Sequence, residues 1–309
     1  MEPFLKLVAE DLYKKLGGDL SRTALVFPNK RAGLFFDEYL SHCSDKPLWA
    51  PAYITISELF RSLSPDIQVA DSIKLICELY KVFASVTKSG ETLDEFYFWG
   101  EMLISDFDDI DKNLANSDLL FSNLKDLKAM DVSDFLTAEQ EEAIRQFFVN
   151  FSIDKSTRLK EKFISLWNVL GEIYTMLKSN LKEQHLAYEG MLYRDVMEHF
   201  EASQLPYDHY VFVGFNVLNR VESALFKEVK KEGKAFFYFD YDISYLKGSN
   251  EAGTFIRKNL ADFGNELDEA SFDNSRKPKQ IYFVSSSTEN GQARLLPGWI
   301  DENLREPEK

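Results

Sequence analysis

The sequence predicts an α/β fold with a mainly parallel sheet, interrupted by one long helical stretch. Five short runs are apolar and β-rich, most of them continuously so, helix-spaced apolar residues separate most of them, and about 140 residues in the middle read as helix. Continuous apolar runs, unlike alternating ones, mark strands buried on both faces of a parallel sheet. Strand and helix in alternation is the signature of the class.

The first run is Thr23–Phe27, followed by Ala52–Thr55, His209–Val213, Ala235–Phe239 and Gln280–Val284. Phe4, Leu5, Val8, Leu12 and Leu16 fall at helix spacing ahead of the first run, and Leu34, Phe35, Tyr39 and Leu40 do so after it. Val221, Leu225, Phe226 and Val229 repeat the pattern after the third. The interval Ser57–Gln204 carries stripes at Ile73, Ile76, Leu79, Tyr80 and Phe83, then at Ala143, Phe147 and Phe151. A third stripe runs through Phe163, Leu166, Trp167, Leu170, Ile173, Tyr174 and Leu177. Turn-rich breaks at 62–65, 88–90, 113–117 and 152–156 punctuate the interval. It is too long for an ordinary crossover. The reading is therefore a sheet domain of residues 1–56 and 205–265, a helical insertion of 57–204, and a further unit starting at 280–309. The polar stretch Asp262–Lys279 links the last two.

Composition narrows the classes. The 309 residues include 36 basic and 51 acidic side chains, a net charge of −15. Fifteen acids and four bases lie between Glu91 and Arg145, so this segment holds most of the excess and would repel a phosphate backbone. Apolar residues make up 45%, enough for a sizeable core. No run approaches the ~18 apolar residues of a membrane span. The acidic start, with Glu2, Glu10 and Asp11, does not look like a secretion signal. Only Cys43 and Cys77 occur, neither in a CxxC pair, so a disulfide framework or zinc site is excluded and a reducing cytoplasm fits.

Chemistry-bearing motifs are sparse. A GxxxxGK[ST] loop is missing, and Gly17-Gly18 sits after a helix, as a helix stop does. Glu228-Val-Lys230 and Glu232-Gly-Lys234 match part of a nuclease letter pattern, but on a helix and in a turn rather than on a strand. The densest carboxylate cluster is Ser105–Asp111, where Asp108 and Asp111, or Asp108 with Asp109, could share a cation through oxygen ligands. The plainer reading is a helix terminus with solvated acids. Phe27-Pro-Asn-Lys-Arg31 is the most informative feature. It places Asn29, Lys30 and Arg31 just beyond a buried strand, where backbone N–H groups at a helix start suit a phosphate. A plain strand-to-helix turn with exposed cations is the alternative.

Taken in order, these pieces resemble the first RecA-like domain of superfamily 1 helicases, and more closely the inactivated helicase region of AddB-type helicase–nuclease subunits. Ala24–Ala32 is similar to the helicase strand ending in TFTNKAA, which in that family touches single-stranded DNA. Asn29, Lys30 and Ala32 match it, and Pro28 replaces its second threonine. Tyr188-Glu-Gly-Met-Leu192 resembles the helix before the Walker B strand. His209–Val213 resembles that strand itself, with Gly214 and Phe215 standing where the acidic pair belongs. Phe236–Tyr245 resembles the next helicase strand and its turn, and Ile281–Ile300 the first strand and helix of a second RecA-like domain.

WGEMLISDFDDID, AYEGMLYR and VFVGFNVL are also similar to the N-terminal part of PD-(D/E)xK nuclease family proteins, in which an inactivated helicase region precedes a C-terminal nuclease domain. The resemblance implies a non-catalytic, RecA-like (P-loop NTPase-like) scaffold for DNA repair, with neither ATP hydrolysis nor DNA cleavage in this chain. It implies no cofactor, no metal, weak single-stranded DNA binding through Asn29, Lys30 and Arg31, and a nuclease domain or helicase subunit as partner. Two other readings compete: an interaction module without nucleic-acid contact, which the acidity favours, and a metal-dependent nuclease using Asp106, Asp108 and Asp111.

Overall fold

Four of the five apolar runs pair in a single sheet in the computed structural model, which describes residues 2–88, 90–122, 157–275, 277–278 and 281–303. The chain opens with α1 (Phe4–Leu16), β1 (Thr23–Phe27), α2 (Arg31–Ser41), β2 (Ala52–Thr55) and α3 (Ile56–Leu63). The helical stretch continues with β3 (Gln68–Val69), α4 (Ser72–Thr87), α5 (Leu93–Lys112), α6 (Thr157–Glu183), β4 (Leu186–Ala187) and α7 (Glu189–Glu198). After it come β5 (His209–Val213), α8 (Arg220–Lys231), β6 (Ala235–Tyr238), α9 (Ile243–Leu246), α10 (Thr254–Phe263) and α11 (Glu289–Asn303).

The sheet order is β2-β1-β5-β6, parallel throughout, with Leu25 opposite both Tyr53 and Val211. The order in which strands are added reverses at β1: β2 joins on one side of it and β5 on the other. In open α/β sheets, that crevice beyond the carboxyl ends is where ligands bind.

Alternate residues of the central strands feed two cores. Ala24, Val26, Tyr210, Phe212 and Phe237 face one, together with Phe60, Leu192, Leu225 and Phe226 of the helices. Leu25, Phe27, Val211, Val213 and Tyr238 face the other, with Val8 and Leu12 of α1 and Phe36 and Leu40 of α2. Burial on both sides is why these runs lack a polar alternate residue.

Helix starts follow capping chemistry. Thr55 with Glu58, Thr92 with Glu95 and Asn219 with Glu222 form reciprocal capping boxes for α3, α5 and α8. Each box satisfies two N–H groups that the first helical turn leaves without partners.

The helical stretch packs with the sheet, and several elements differ from the sequence reading. The helices within 57–204 share the first core with the sheet: Leu79, Phe107, Leu177 and Leu192 belong to the same cluster as Val26 and Phe212. One compact unit accordingly runs to Phe272, and a second begins at Asp273. A two-residue parallel pair, β3 with β4, sits inside the stretch read as helix. Ile281–Val284 forms no strand, and all four side chains are exposed. The buried face of α2 is Gly33, Phe36 and Leu40, while Leu34 and Phe35 point outward. On α4, Ile76, Leu79 and Phe83 are buried but Ile73 is not. The stripe at Ala143, Phe147 and Phe151, the break at 152–156 and Gln280 lie outside the described residues, as do the side chains of Phe163, Leu166 and Trp167. Among the described residues no helix is long and apolar enough to cross a membrane.

Candidate nucleic-acid interface

The turn Pro28–Lys30 leaves the carboxyl end of β1 and runs straight into α2. Asn29 shapes it: its Oδ1 accepts the backbone N–H of Arg31 at 3.1 Å, holding the chain in the turn that starts the helix. Asn29, Lys30 and Arg31 are all exposed. The Lys30 ammonium pairs with Glu58 Oε1. The other Glu58 oxygen accepts the Thr55 backbone N–H at 2.9 Å as half of the α3 capping box. The Lys30 ammonium, followed by the Thr55 N–H, holds the Glu58 carboxyl below its ordinary range. The turn is thereby tied to α3 through one carboxylate.

Beside it, at the same end of the adjacent strand, the chain turns at Gly214. Its φ of 76° is left-handed, and its N–H donates to the Tyr238 carbonyl at 2.9 Å. A residue with a Cβ would be strained there. Phe215 is buried between Phe212 and Phe226, with ring centroids 6.4 and 5.2 Å away. Neither side chain offers an oxygen or a charge to a metal ion.

The aspartates of α5 divide: Asp106 and Asp109 are exposed, as a solvated terminus would have them, while Asp108 and Asp111 turn inward. Asp111 is 0% exposed. Its carboxylate accepts the hydroxyls of Tyr174 and Tyr188, each at 2.5 Å, and the Lys178 ammonium at 3.0 and 3.2 Å. Arg194 Nε stands 2.6 Å from Asp111 Oδ1, off the line a hydrogen bond needs, so it acts as a charge contact. The guanidinium donates instead to the carbonyls of Ile110 and Ala115 at 3.0 and 2.7 Å. Burial, reinforced by the Asp111 carboxylate, raises both tyrosines above the ordinary phenol value, so both remain donors.

Asp108 accepts the Gly190 N–H at 2.5 Å and the Lys112 ammonium at 2.7 Å. Lys112 also pairs with Glu189 at 2.8 Å. Burial opposes the Lys112 charge, but the two carboxylates outweigh it and raise its pKa.

The Asp108, Asp111 and Glu189 carboxylates are committed to cations, hydroxyls and backbone, while those of Asp106 and Asp109 face solvent. Among the described residues no cluster of three His, Cys, Asp or Glu side chains could hold a metal ion. Sequence reasoning missed Tyr174, Lys178, Tyr188 and Arg194. A signal existed, because Asp111 continues the buried stripe Phe96, Gly100, Leu103 and Phe107.

The two features singled out from the sequence thus separate. The structure brings the Asn29 turn and Gly214 to the same end of neighbouring strands, and turns Asp108 and Asp111 inward. No family model matches the chain, and no curated protein matches it significantly. What the geometry establishes directly is an α/β protein with a four-stranded parallel sheet and an exposed, cation-bearing turn at the sheet's switch point.

Proposed function

We propose that this chain is a non-catalytic, RecA-like scaffold, the inactivated helicase region of an AddB-type or PD-(D/E)xK nuclease family protein acting in the cytoplasm. It holds single-stranded DNA weakly at the Asn29 turn and docks a nuclease domain or a helicase subunit. The observation that carries the reading is the direct parallel pairing of β1 with β5. That pairing puts the turn resembling the helicase DNA-contacting motif beside the turn where Gly214 and Phe215 replace the acidic pair. The exposure of Asn29, Lys30 and Arg31 supports the DNA contact. Gly and Phe at the second turn support the absence of nucleotide hydrolysis, which needs carboxylates to hold Mg²⁺ there.

The test is binding of the full chain to single-stranded oligonucleotide across a salt series. Weak binding should fall with salt, with a slope of about −0.7 per neutralised phosphate. Changing Lys30 and Arg31 together to Ala should weaken it and flatten the slope by about two contacts' worth. Equal binding with and without the double change would remove the DNA role and leave an interaction module, the reading the net charge of −15 favours.

A further inference from the structure

Leu34 is 76% and Phe35 57% exposed on α2, although the helix already has a buried face in Gly33, Phe36 and Leu40. Two adjacent large apolar side chains on an exposed helix face contribute nothing to the core. They sit one turn beyond Lys30 and Arg31, so Arg31 and Phe35, at i and i+4, are neighbours on one face, about 5–6 Å apart at their Cβ atoms. Arg31 has no ion-pair partner among the described residues.

The helix presenting them is held firmly. Gly33 brings α2 so close to β2 that a Cβ there would stand 3.3 Å from the Tyr53 side chain. Tyr53 Oη donates to Asp37 at 2.9 Å, and the Phe36 ring packs on the Phe27 and Tyr53 rings at 6.3 and 6.1 Å. An exposed ring on an anchored helix, beside an uncommitted cation, loses little freedom when it takes up a flat partner.

We propose that Phe35 is a base-stacking platform: Arg31 holds a phosphate and the Phe35 ring takes the base attached to it, with Leu34 covering the base edge. The proposal rests on the single-stranded DNA reading and specifies how that site grips its ligand. Charge complementarity selects the occupant. Single strands combine an anionic backbone with unpaired flat rings, and aromatic side chains next to cations are how proteins hold them without sequence preference. A purely apolar protein partner would have no use for Lys30 and Arg31 at the patch's edge.

The experiment compares two probes on the full chain: a twelve-residue oligothymidylate, and a sugar-phosphate chain of the same length without bases. Phe35→Ala should weaken oligothymidylate binding about 5- to 150-fold, the range of one stacked base, and leave the abasic chain unchanged. Phe35→Trp should restore the loss, whereas Lys30→Ala with Arg31→Ala should weaken both probes. Unaltered melting of Phe35→Ala would show that the fold is intact, as its exposure leads one to expect. Equal loss on both probes, or no loss on either, overturns the stacking role while the double cation variant still reports on the DNA site. Failure of the unaltered chain to bind either probe overturns both. A monomer–dimer equilibrium abolished by Phe35→Ala, with oligothymidylate binding unchanged, would assign the patch to a second copy and overturn the proposal.

Discussion

Asp111 and Lys30 are both charged groups at the ends of helices or strands, and the molecule uses them in opposite ways. Asp111 is enclosed by Tyr174, Lys178, Tyr188 and Arg194, with no water contact and every neighbour supplied by the fold. Lys30 lies in solvent, and its partner among the described residues, Glu58, is itself partly exposed. Glu78 is intermediate: its carboxylate is buried, but Lys74 and Lys81, each 2.8 Å away, reach it from solvent. Burial of the partners, rather than residue type, decides whether a charge holds the fold together or stays free for a ligand. Enclosure removes competition from water but makes the loss of one member costly. Exposure makes a pair weak and exchangeable.

That contrast predicts a graded response. Asp111→Ala should destabilise the chain most, by about 3–5 kcal/mol in urea unfolding, because it strands two cations and two buried hydroxyls. A loss below about 1 kcal/mol would erase the contrast.

Glu78→Gln should cost less, about 1–2 kcal/mol at neutral pH, since its lysines can turn to water. The Lys74 and Lys81 ammonium groups hold the Glu78 carboxyl at about 2, below its ordinary 4.5. A depressed carboxyl contributes its stability above the unfolded value and loses it as pH falls through the folded one. Stability should therefore decline between about pH 4.5 and 2, and Glu78→Gln should flatten that part of the profile. Identical acid profiles for the two proteins would remove Glu78 from its intermediate place. Lys30→Ala with Arg31→Ala should cost least, within about 0.5 kcal/mol, and a larger loss would make the turn structural after all.

The same contrast sets what the sequence could reveal. β1 and β5 were legible because they are buried on both faces, so that burial writes itself into four or five consecutive residues; the edge strands β2 and β6, only partly buried, carry apolar runs all the same. Gln280–Val284 has the same composition, yet Ile281–Val284 pairs with nothing among the described residues; an apolar run signals the capacity to pair, not the neighbour. On α2 the pattern Leu34, Phe35, Tyr39, Leu40 scores as well as Phe36 with Leu40, and only the sheet beneath chooses between them. The Asn29 turn could be placed because its neighbours in space are its neighbours in sequence. Asp111 was harder to read, because its partners lie 63 to 83 positions further along the chain and its apolar register was the one local signal. The general rule that acid runs are solvated then prevailed over one aspartate in an apolar register.

The pairing of β1 with β5 also governs how the chain must be made. One edge of β1 closes early on β2, but the other waits for His209–Val213, about 180 residues later. At roughly 5–20 residues per second of synthesis, that edge stays open for about 10–35 s, far longer than local helices need to form. Throughout that interval the ribosome carries a two-stranded parallel half-sheet with unpaired backbone groups and the side chains of Ala24 and Val26 awaiting the later part of their core. Edges of this kind recruit other chains. Aggregation during synthesis, rather than instability once folded, is the hazard this topology creates.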